Sequence, residues 1–265
     1  MNEESIKGQT ALITGASSGI GKAVAEQFAR RGAHVVITAR RLDRLEAFAE
    51  GLRQKYKVKA FPLQLDVKES LQVDQVVKEI PIEIDFLVNN AGLALTSDKI
   101  QDGLCENWDT MIDTNVKGLL YMTRAILPSM VARNRGHIVN LGSIAGHECY
   151  VGGNVYSATK HAVRAISKSL RQDLLGTKIR VSNIDPGAVE TEFSNIRFND
   201  ADRAKQVYQG FEPLVADDIA DTILFCVTRP QHVNIAEIVV FPQAQAGITI
   251  YREGQPVVSP FPAKK

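Results

Sequence analysis

TALITGASSGIG, at residues 10–21, joins a short apolar run to a glycine-rich turn and the start of a helical pattern. The first six residues have the length and composition of a buried strand, and helical spacing follows over Ile20–Arg31. The glycines at the turn lack Cβ atoms, so the backbone there can turn tightly and approach a phosphate. The helix that follows would direct its free N–H groups and its positive dipole end at that anion. A glycine cluster alone also fits a plain tight turn, but the strand–turn–helix context predicts a dinucleotide-binding unit.

The same alternation of strand and helix continues along the chain. Further strands are predicted at His34–Arg40, at a run ending near Asp66, and at Ile84–Asn90, His137–Ser143, Ile179–Gly187 and Ala236–Pro242. Further helices are predicted at Leu42–Lys55, Val73–Glu79, Trp108 to about Val131, and Tyr156–Leu175. Strict alternation implies right-handed crossovers. We therefore predict an α/β fold with a doubly wound, Rossmann-type parallel sheet of about seven strands.

The domain organisation is predicted from the absence of sequence breaks. The chain has 265 residues and shows neither an internal repeat nor a Pro/Gly-rich linker. We predict a single dinucleotide-binding catalytic domain over residues 1–265. Residues of about 190–215 carry charges and aromatic rings and are interpreted as a segment that covers the substrate. The tail, about 243–265, is expected to be irregular and to cover an edge or touch another subunit.

Composition narrows the class of partner. The 31 Lys and Arg residues balance 30 Asp and Glu residues, which argues against nucleic acid or an acidic membrane surface as a partner. Cys105, Cys149 and Cys226 lack metal-ligand or disulfide spacing, so we expect reduced thiols and no metal site. The first ten residues are polar, and no apolar run has the length of a membrane span. The expected location is the cytoplasm.

The end of the second predicted strand indicates which dinucleotide binds. An acidic residue there would accept hydrogen bonds from the ribose of NAD. This chain has Ala39-Arg40-Arg41 instead, and guanidinium groups suit a 2′-phosphate. The two arginines could also simply begin a salt-bridged helix. We predict NADP in preference to NAD, with Arg40 contributing more than Arg41.

Two further strand ends carry turn-forming polar residues. Asp66-Val67 follows the third strand, and Asn89-Asn90-Ala91-Gly92 ends the fourth. The carboxyl ends of strands are where open α/β sheets bind ligands, so both segments are candidate cofactor contacts. Ordinary strand-to-loop chemistry would also favour Asn, Asp and Gly at these positions.

Proton-transfer chemistry is predicted at Tyr156 and Lys160, which are four residues apart and share a helix face. A neighbouring ammonium would lower the pKa of a phenol toward the range useful for acid–base catalysis. Such pairs also occur by chance. Ser143 ends the fifth strand and could bind a substrate oxygen, or act as a cap. Asn115 is polar amid apolar helix neighbours, so it is either a satisfied buried residue or a functional one.

Taken together, these motifs resemble those of the short-chain dehydrogenase/reductase family. Thr14–Gly21 resembles its T-G-x-x-x-G-x-G motif, and Asn89–Gly92 resembles its N-N-A-G motif. Asp185–Thr191 resembles the P-G-x-V-x-T segment beside the nicotinamide. The resemblance runs from about Lys7 to Pro242, nearly the whole chain, with the motifs in the family's order.

The resemblance implies roles for individual residues. Tyr156 would transfer the proton of the substrate oxygen, Lys160 would hold the nicotinamide ribose, Ser143 would position the substrate, and Asn115 would hold a relay water. Hydride would pass between the substrate carbon and the nicotinamide. The expected cofactor contacts are Gly15, Ser17, Ser18, Gly19, Ile20, Gly21, Arg40, Arg41, Asp66, Val67, Asn90, Ala91, Gly92, Tyr156, Lys160, Pro186, Gly187, Val189 and Thr191.

A narrower resemblance concerns the substrate. Residues 143–163 and 186–221 look like those of NADP-dependent serine/3-hydroxy acid dehydrogenases, a subgroup that is generally tetrameric. This implies a homotetramer acting on serine, 3-hydroxypropionate or a similar acid. His147-Glu148 departs from the pattern, and its role and that of Cys149 stay open.

Other functions fit parts of this pattern. A broad carbonyl reductase and a non-catalytic nucleotide-binding protein are the alternatives, and an epimerase would need a larger substrate domain. Arg197 or Arg203 could pair with a carboxylate, although a solvated charged helix explains either one.

Overall fold

The computed structural model describes residues 6–198 and 200–254. Within them, a parallel sheet has the strand order β3-β2-β1-β4-β5-β6-β7. Its strands are β1 Thr10–Thr14, β2 His34–Ala39, β3 Ala60–Gln64, β4 Phe86–Asn89, β5 Gly136–Leu141, β6 Ile179–Pro186 and β7 Glu237–Val240. The order reverses between β1 and β4, which leaves a crevice at their carboxyl ends. The predicted doubly wound α/β sheet is confirmed.

Helices cover both faces of this sheet. They are α1 Gly19–Arg30, α2 Leu42–Tyr56, α3 Ser70–Glu79, α4 Cys105–Ile112, α5 Leu119–Arg133, α6 Asn154–Asp173, α7 Phe193–Phe198, α8 Ala201–Gln206 and α9 Ala216–Val227. On one face Phe28 of α1 and Ile223 of α9 belong to one buried cluster, and on the other Ile126 of α5 and Leu170 of α6 belong to a second. Strands buried on both sides explain the continuous apolar runs in the sequence. Every helix in the described part of the chain is too short or too polar to cross a membrane.

The long helix predicted from Trp108 to Val131 is interrupted. α4 and α5 are separated by a π-helical turn at Asp113–Gly118. Gly118 packs so closely on Val67 that an added Cβ would lie 3.0 Å from the Cβ of that valine. The wider turn places the Asn115 side chain against the backbone of Leu93. A tertiary contact therefore overrides the regular helical period, as is common for π-turns near functional sites.

The tail differs from its expected irregular form. Gln245–Ala246 and Thr249–Ile250 form a small antiparallel hairpin, β8 and β9. The Gln245 side chain accepts a hydrogen bond from Ala188 N at 2.8 Å, which attaches the hairpin to the segment after β6. The expected irregular form is therefore wrong for residues 245–250, because a side-chain contact distant in sequence orders this part of the tail. The remainder of the tail, residues 255–265, lies outside the described residues.

Candidate active site

A cavity of about 410 Å³ opens at the carboxyl ends of the central strands. It runs from the glycine-rich turn after β1 to the segment after β6. Its wall brings together most of the residues predicted for the site from the sequence. These are Gly15, Ser18, Gly19, Ile20, Asn90, Ala91, Gly92, Ser143, Tyr156, Lys160, Pro186, Gly187, Val189 and Thr191.

The glycine-rich turn is fixed against the end of β4. Gly15 has φ +67°, and an added Cβ would lie 3.0 Å from both Asn90 Nδ2 and Ala91 Cα. Asn90 Nδ2 in turn donates to Thr14 O at 2.8 Å. α1 begins directly after the turn, and its first amides receive no side-chain cap from Ser18. Free helix N–H groups facing a cavity from a turn of this shape suit the diphosphate of a dinucleotide.

The two arginines after β2 are placed differently. The Arg41 Nη2 donates to Ser17 Oγ at 3.0 Å and to Ser18 Oγ at 3.3 Å, and it lies 3.5 Å from a Glu192 carboxylate oxygen. Arg40 is exposed, and its carbonyl accepts a hydrogen bond from Gln64 Nε2. The geometry favours Arg41, the guanidinium attached to the glycine-rich turn, whereas the predicted order, with Arg40 contributing more than Arg41, stays a prediction.

Some of the predicted contacts lie behind the cavity wall. Asp66 Oδ1 accepts from the backbone of Lys68 at 3.1 Å, and Val67 is buried against Gly118. Gly21 lies under the turn, where an added Cβ would meet Gly15 O at 2.6 Å. In this structure these three residues shape the loops that surround the cavity.

Ser143, Tyr156 and Lys160 meet at one place in the wall. Ser143 follows β5, and its backbone N–H donates to Asp185 Oδ1 at 2.9 Å. Tyr156 and Lys160 lie one turn apart on α6, and the Lys160 Nζ is 5.9 Å from the centre of the Tyr156 ring. The Lys160 Nζ donates to Leu141 O at 2.7 Å. A hydroxyl, a phenol and an ammonium thus converge from two elements that the sequence separates by a loop.

The pKa values of this group differ from the sequence-based expectation. Burial raises the pKa of the Tyr156 phenol, and a hydrogen bond with Ser143 opposes that rise. Burial lowers the pKa of Lys160 to about 8. The expected lowering of the phenol's pKa by Lys160 is not observed, because the ammonium is directed at Leu141 and desolvation dominates.

Asn115 is buried and makes hydrogen bonds with two other segments. Its Oδ1 accepts from Leu93 N at 2.8 Å, and its Nδ2 donates to Leu93 O at 2.8 Å and to Thr159 Oγ1 at 3.0 Å. The side chain thereby joins the π-helical turn to the loop after β4 and to α6. In this structure it holds together the elements that carry the site.

His147 belongs to a charged network beside the site. Its Nε2 lies 2.9 Å from Asp185 Oδ2 and 3.2 Å from Glu237 Oε1, and Arg164 Nε donates to the same Glu237 oxygen at 2.6 Å. Potential metal-ligand atoms of His147, Asp185 and Glu237 lie within 4.8 Å of one another. Asn183 Nδ2 also donates to Asp185 Oδ2 at 2.6 Å. Because these oxygens already accept bonds from side chains, we interpret the network as a support for Ser143.

The other two residues left open by the sequence are also placed. The Glu148 Oε2 accepts from Ile248 N at 3.2 Å, so Glu148 holds the tail hairpin. Cys149 is exposed. The thiol lies outside the set of residues that line the cavity.

Several cavity residues were not identified from the sequence. Tyr150, Phe193, Ile248 and Ile250 all line it, beside Arg197, which the sequence offered together with Arg203 as a possible carboxylate partner. Of these, Ile248 and Ile250 come from the tail hairpin, which no local pattern connects to the site. The aromatic and charged composition of residues 190–215 was the available signal for Phe193, and no sequence pattern indicated Tyr150.

Comparison with known proteins identifies the family. A family model described as short chain dehydrogenase matches residues 9–202. The chain belongs to the short-chain dehydrogenase family. An NADP-dependent 3-hydroxy acid dehydrogenase of Schizosaccharomyces pombe is 46% identical to this dehydrogenase over 254 residues, covering 94% of the chain and 98% of the relative. A protein of the same description from Escherichia coli K12 is 44% identical over 249 residues, covering 91% and 99%.

Solved structures show the same likeness. A serine dehydrogenase in a closed form, complexed with NADP⁺, superposes with a TM-score of 0.85 at 43% identity, covering 92% of this chain and 100% of that one. A serine dehydrogenase from Escherichia coli superposes with a TM-score of 0.78 at 40% identity, covering 90% and 100%. The resemblance predicted from sequence motifs is thus confirmed at the level of the family.

Proposed function

We propose that this dehydrogenase uses NADP to oxidise, reversibly, the 3-hydroxyl of a small hydroxy acid such as serine or 3-hydroxypropionate. The observation that carries the proposal is the convergence of Ser143, Tyr156 and Lys160 in a cavity that also contains the glycine-rich turn. Relatives at 44% to 46% identity are described as NADP-dependent 3-hydroxy acid dehydrogenases. The site supplies the proton chemistry, and the relatives indicate the substrate class.

The residues present fit NADP. The uncapped N-terminus of α1 offers amides to the diphosphate, and Arg41 stands where a 2′-phosphate would be expected next to the turn. When bound, the nicotinamide supplies the carbon that accepts or gives hydride. Arg40 is exposed near the same edge and would add a more distant positive charge.

Tyr156 is the proposed general acid and base. In the reduction direction its phenol donates a proton to the substrate oxygen, and in oxidation its phenolate accepts the proton of the substrate hydroxyl. A raised pKa keeps the phenol protonated and ready to donate. Ser143 donates a hydrogen bond to the same substrate oxygen and so fixes its position beside the phenol.

Lys160 and Asn115 support this step. Lys160 keeps a positive charge in a buried place, and a pKa of about 8 leaves most of it protonated at neutral pH. That charge would hold a ribose hydroxyl. The hydrogen bond with Ser143 acts to lower the pKa of the phenol and so favours the phenolate in oxidation. Asn115 keeps the loop after β4 against α6, and its role in holding a relay water stays a prediction.

The proposal also includes the substrate-covering segment, the assembly state and the cellular location of the protein. Residues 190–215 would cover the substrate, and the whole chain would act as one domain in a cytoplasmic homotetramer. Light scattering of the purified protein tests the assembly state, with a mass of four chains expected. A monomeric mass would reject the tetramer while leaving the chemistry intact.

A substrate panel tests the function. L-serine, 3-hydroxypropionate and uncharged alcohols are each mixed with NADP⁺ or NAD⁺, and nicotinamide absorbance is followed. We expect the highest kcat/KM for a 3-hydroxy acid with NADP⁺. Higher kcat/KM values for the uncharged alcohols than for any hydroxy acid would favour the broad carbonyl reductase instead. Cofactor binding without turnover of any member would favour a non-catalytic nucleotide-binding protein.

A further inference from the structure

The cavity contains a cation that the proton chemistry does not use. Arg197 of α7 lines the cavity, whereas Arg203 of α8 does not. The Arg203 guanidinium stacks 4.5 Å from the centre of the Phe198 ring and donates to Ser97 Oγ at 2.7 Å on an exposed surface. The sequence did not distinguish Arg197 from Arg203, whereas the fold places Arg197 in the cavity wall and Arg203 on the surface.

Arg197 is held in a defined orientation. Its guanidinium carbon lies 5.4 Å from the centre of the Tyr150 ring and 6.0 Å from that of Tyr156. Its Nε donates to Thr96 O at 3.2 Å, and its own carbonyl accepts from Thr96 N at 2.9 Å. One edge of the planar group is thus fixed to the chain. Within residues 6–198 and 200–254, the two terminal Nη groups have no hydrogen-bond acceptor.

The other charged groups of the wall already have partners. Lys160 donates to Leu141 O, and Glu192 forms ion pairs with Arg41 at 3.5 Å and with Arg44 at 3.2 Å. The remaining Lys160 donors are those proposed for the cofactor ribose, so Arg197 is the charged wall residue, within the described chain, whose donors have no assigned partner. A half-buried guanidinium with two unassigned donors, next to the reactive phenol, is suited to bind an anion.

We propose that Arg197 binds the carboxylate of the substrate and thereby selects hydroxy acids over uncharged alcohols. The inference rests on the proposed function, because it needs the hydroxyl to lie at Tyr156. In a 3-hydroxy acid only the carbons C3 and C2 stand between the hydroxyl oxygen and the carboxylate carbon. A guanidinium beside the Tyr156 ring is therefore at a suitable distance for the carboxylate. The planar fork matches a carboxylate, which a single ammonium would not do as well.

The surroundings strengthen such a pair. Phe193, Ile196 and Ile248 line the cavity at and beside residues 190–215, and apolar walls exclude water from a bound ligand. A charge-assisted hydrogen bond is stronger where water is excluded. Arg197 also contributes to the electrostatics of the reaction, since its charge acts to lower the pKa of Tyr156. Arg197 would therefore both bind the carboxylate of the substrate and act on the pKa of Tyr156.

The test compares an acid with its uncharged ester. kcat/KM is measured with 3-hydroxypropionate and with methyl 3-hydroxypropionate, for the wild type, Arg197→Met and Arg203→Met. For Arg197→Met we expect the ratio of acid to ester to fall about 10- to 100-fold, chiefly through KM. Arg203→Met, the matched control on the same segment, should keep the wild-type ratio. A purely structural role of Arg197 would lower both substrates equally and would overturn the inference.

A second measurement needs no variant. Propionate should compete with the methyl ester in the wild-type enzyme, while propionamide at the same concentration should not. Equal inhibition by the two compounds would also overturn the inference. If the wild type oxidises the ester but no hydroxy acid, the proposed function itself fails. If it oxidises the acid and Arg197→Met keeps the ratio, only the carboxylate assignment fails.

Discussion

The proposed cofactor side and the proposed substrate cover of this dehydrogenase are built in different ways. The cofactor side, defined as residues 14–21, 39–41 and 89–92, is anchored to buried strands and held by backbone hydrogen bonds such as that from Ala16 N to Thr38 O at 3.1 Å. The substrate cover, residues 190–215, consists of short helices attached by side chains. Tyr208, for example, bonds Ser194 Oγ at 2.7 Å and Val189 O at 2.8 Å. Backbone geometry thus determines one side and side-chain identity the other.

This difference has a functional consequence. The dinucleotide is the same for every substrate, and a site built from backbone groups suits it, because side-chain substitutions there change the binding groups little. A side-chain-built cover can change its ligand by changing single residues such as Arg197. Substitutions on the cofactor side should therefore affect every substrate equally, and those in the cover should change relative specificity.

The largest effect is expected where the two sides meet. Tyr156→Phe removes the proton-transfer group and should lower kcat about 1,000-fold. NADPH affinity, measured by fluorescence titration, should change little, because the glycine-rich turn and Arg41 are intact. Substantial remaining turnover would remove Tyr156 from the mechanism.

The next effect tests the backbone-built side. Gly21→Ala places a Cβ against Gly15 O and the Asn90 amide, so the turn must move. We expect affinity for both NADPH and NADH to fall about 10- to 100-fold, together with a loss of stability of about 1–3 kcal/mol. Gly51→Ala in α2 is the matched control. Nothing lies within 4 Å of its added Cβ, and it should stabilise by about 0.5–1 kcal/mol. Unchanged binding in Gly21→Ala would contradict a rigid turn.

A smaller effect separates the two arginines after β2. Arg41→Ala should weaken NADPH about tenfold, because it removes a charge-assisted contact to the 2′-phosphate. NADH, which lacks that phosphate, should bind nearly as before. Arg40→Ala should weaken NADPH less, since the Arg40 side chain is exposed. If Arg40→Ala has the larger effect, the order predicted from the sequence is correct and the geometric order is wrong.

The smallest effect concerns the link between the two sides. Glu192 of the cover accepts hydrogen bonds from Arg41 and Arg44, two exposed pairs. Glu192→Gln removes a negative charge that competes with a phosphate, so NADPH should bind about two- to fivefold tighter. Asp74→Asn removes a comparable exposed pair with Arg124 elsewhere and should leave affinity unchanged. Weaker NADPH binding in Glu192→Gln would show that the carboxylate supports the site.

The fold and the site could be predicted from the sequence where they depend on local backbone patterns. The turn after β1, the end of β4 and the Tyr156–Lys160 spacing are local patterns, and the parallel sheet follows from the alternation of elements. The π-helical turn at Asp113–Gly118 and the tail hairpin were not predicted, because each depends on contacts far apart in sequence. The pKa of Tyr156 was also beyond reach, since burial and the direction of the Lys160 ammonium depend on the packed structure. For the same reason, Arg197 and Arg203 looked alike in the sequence.

One measurement tests the central claim most directly. 3-Hydroxypropionate deuterated at C3 is incubated with NADP⁺ and the wild-type enzyme, and the reduced cofactor is analysed by mass spectrometry and NMR. The account predicts one deuterium in NADPH, at C4 of the nicotinamide, together with a slower rate than that of the protiated acid. NADPH that forms without deuterium, or the absence of any reduced cofactor, would contradict hydride transfer from the 3-hydroxy carbon.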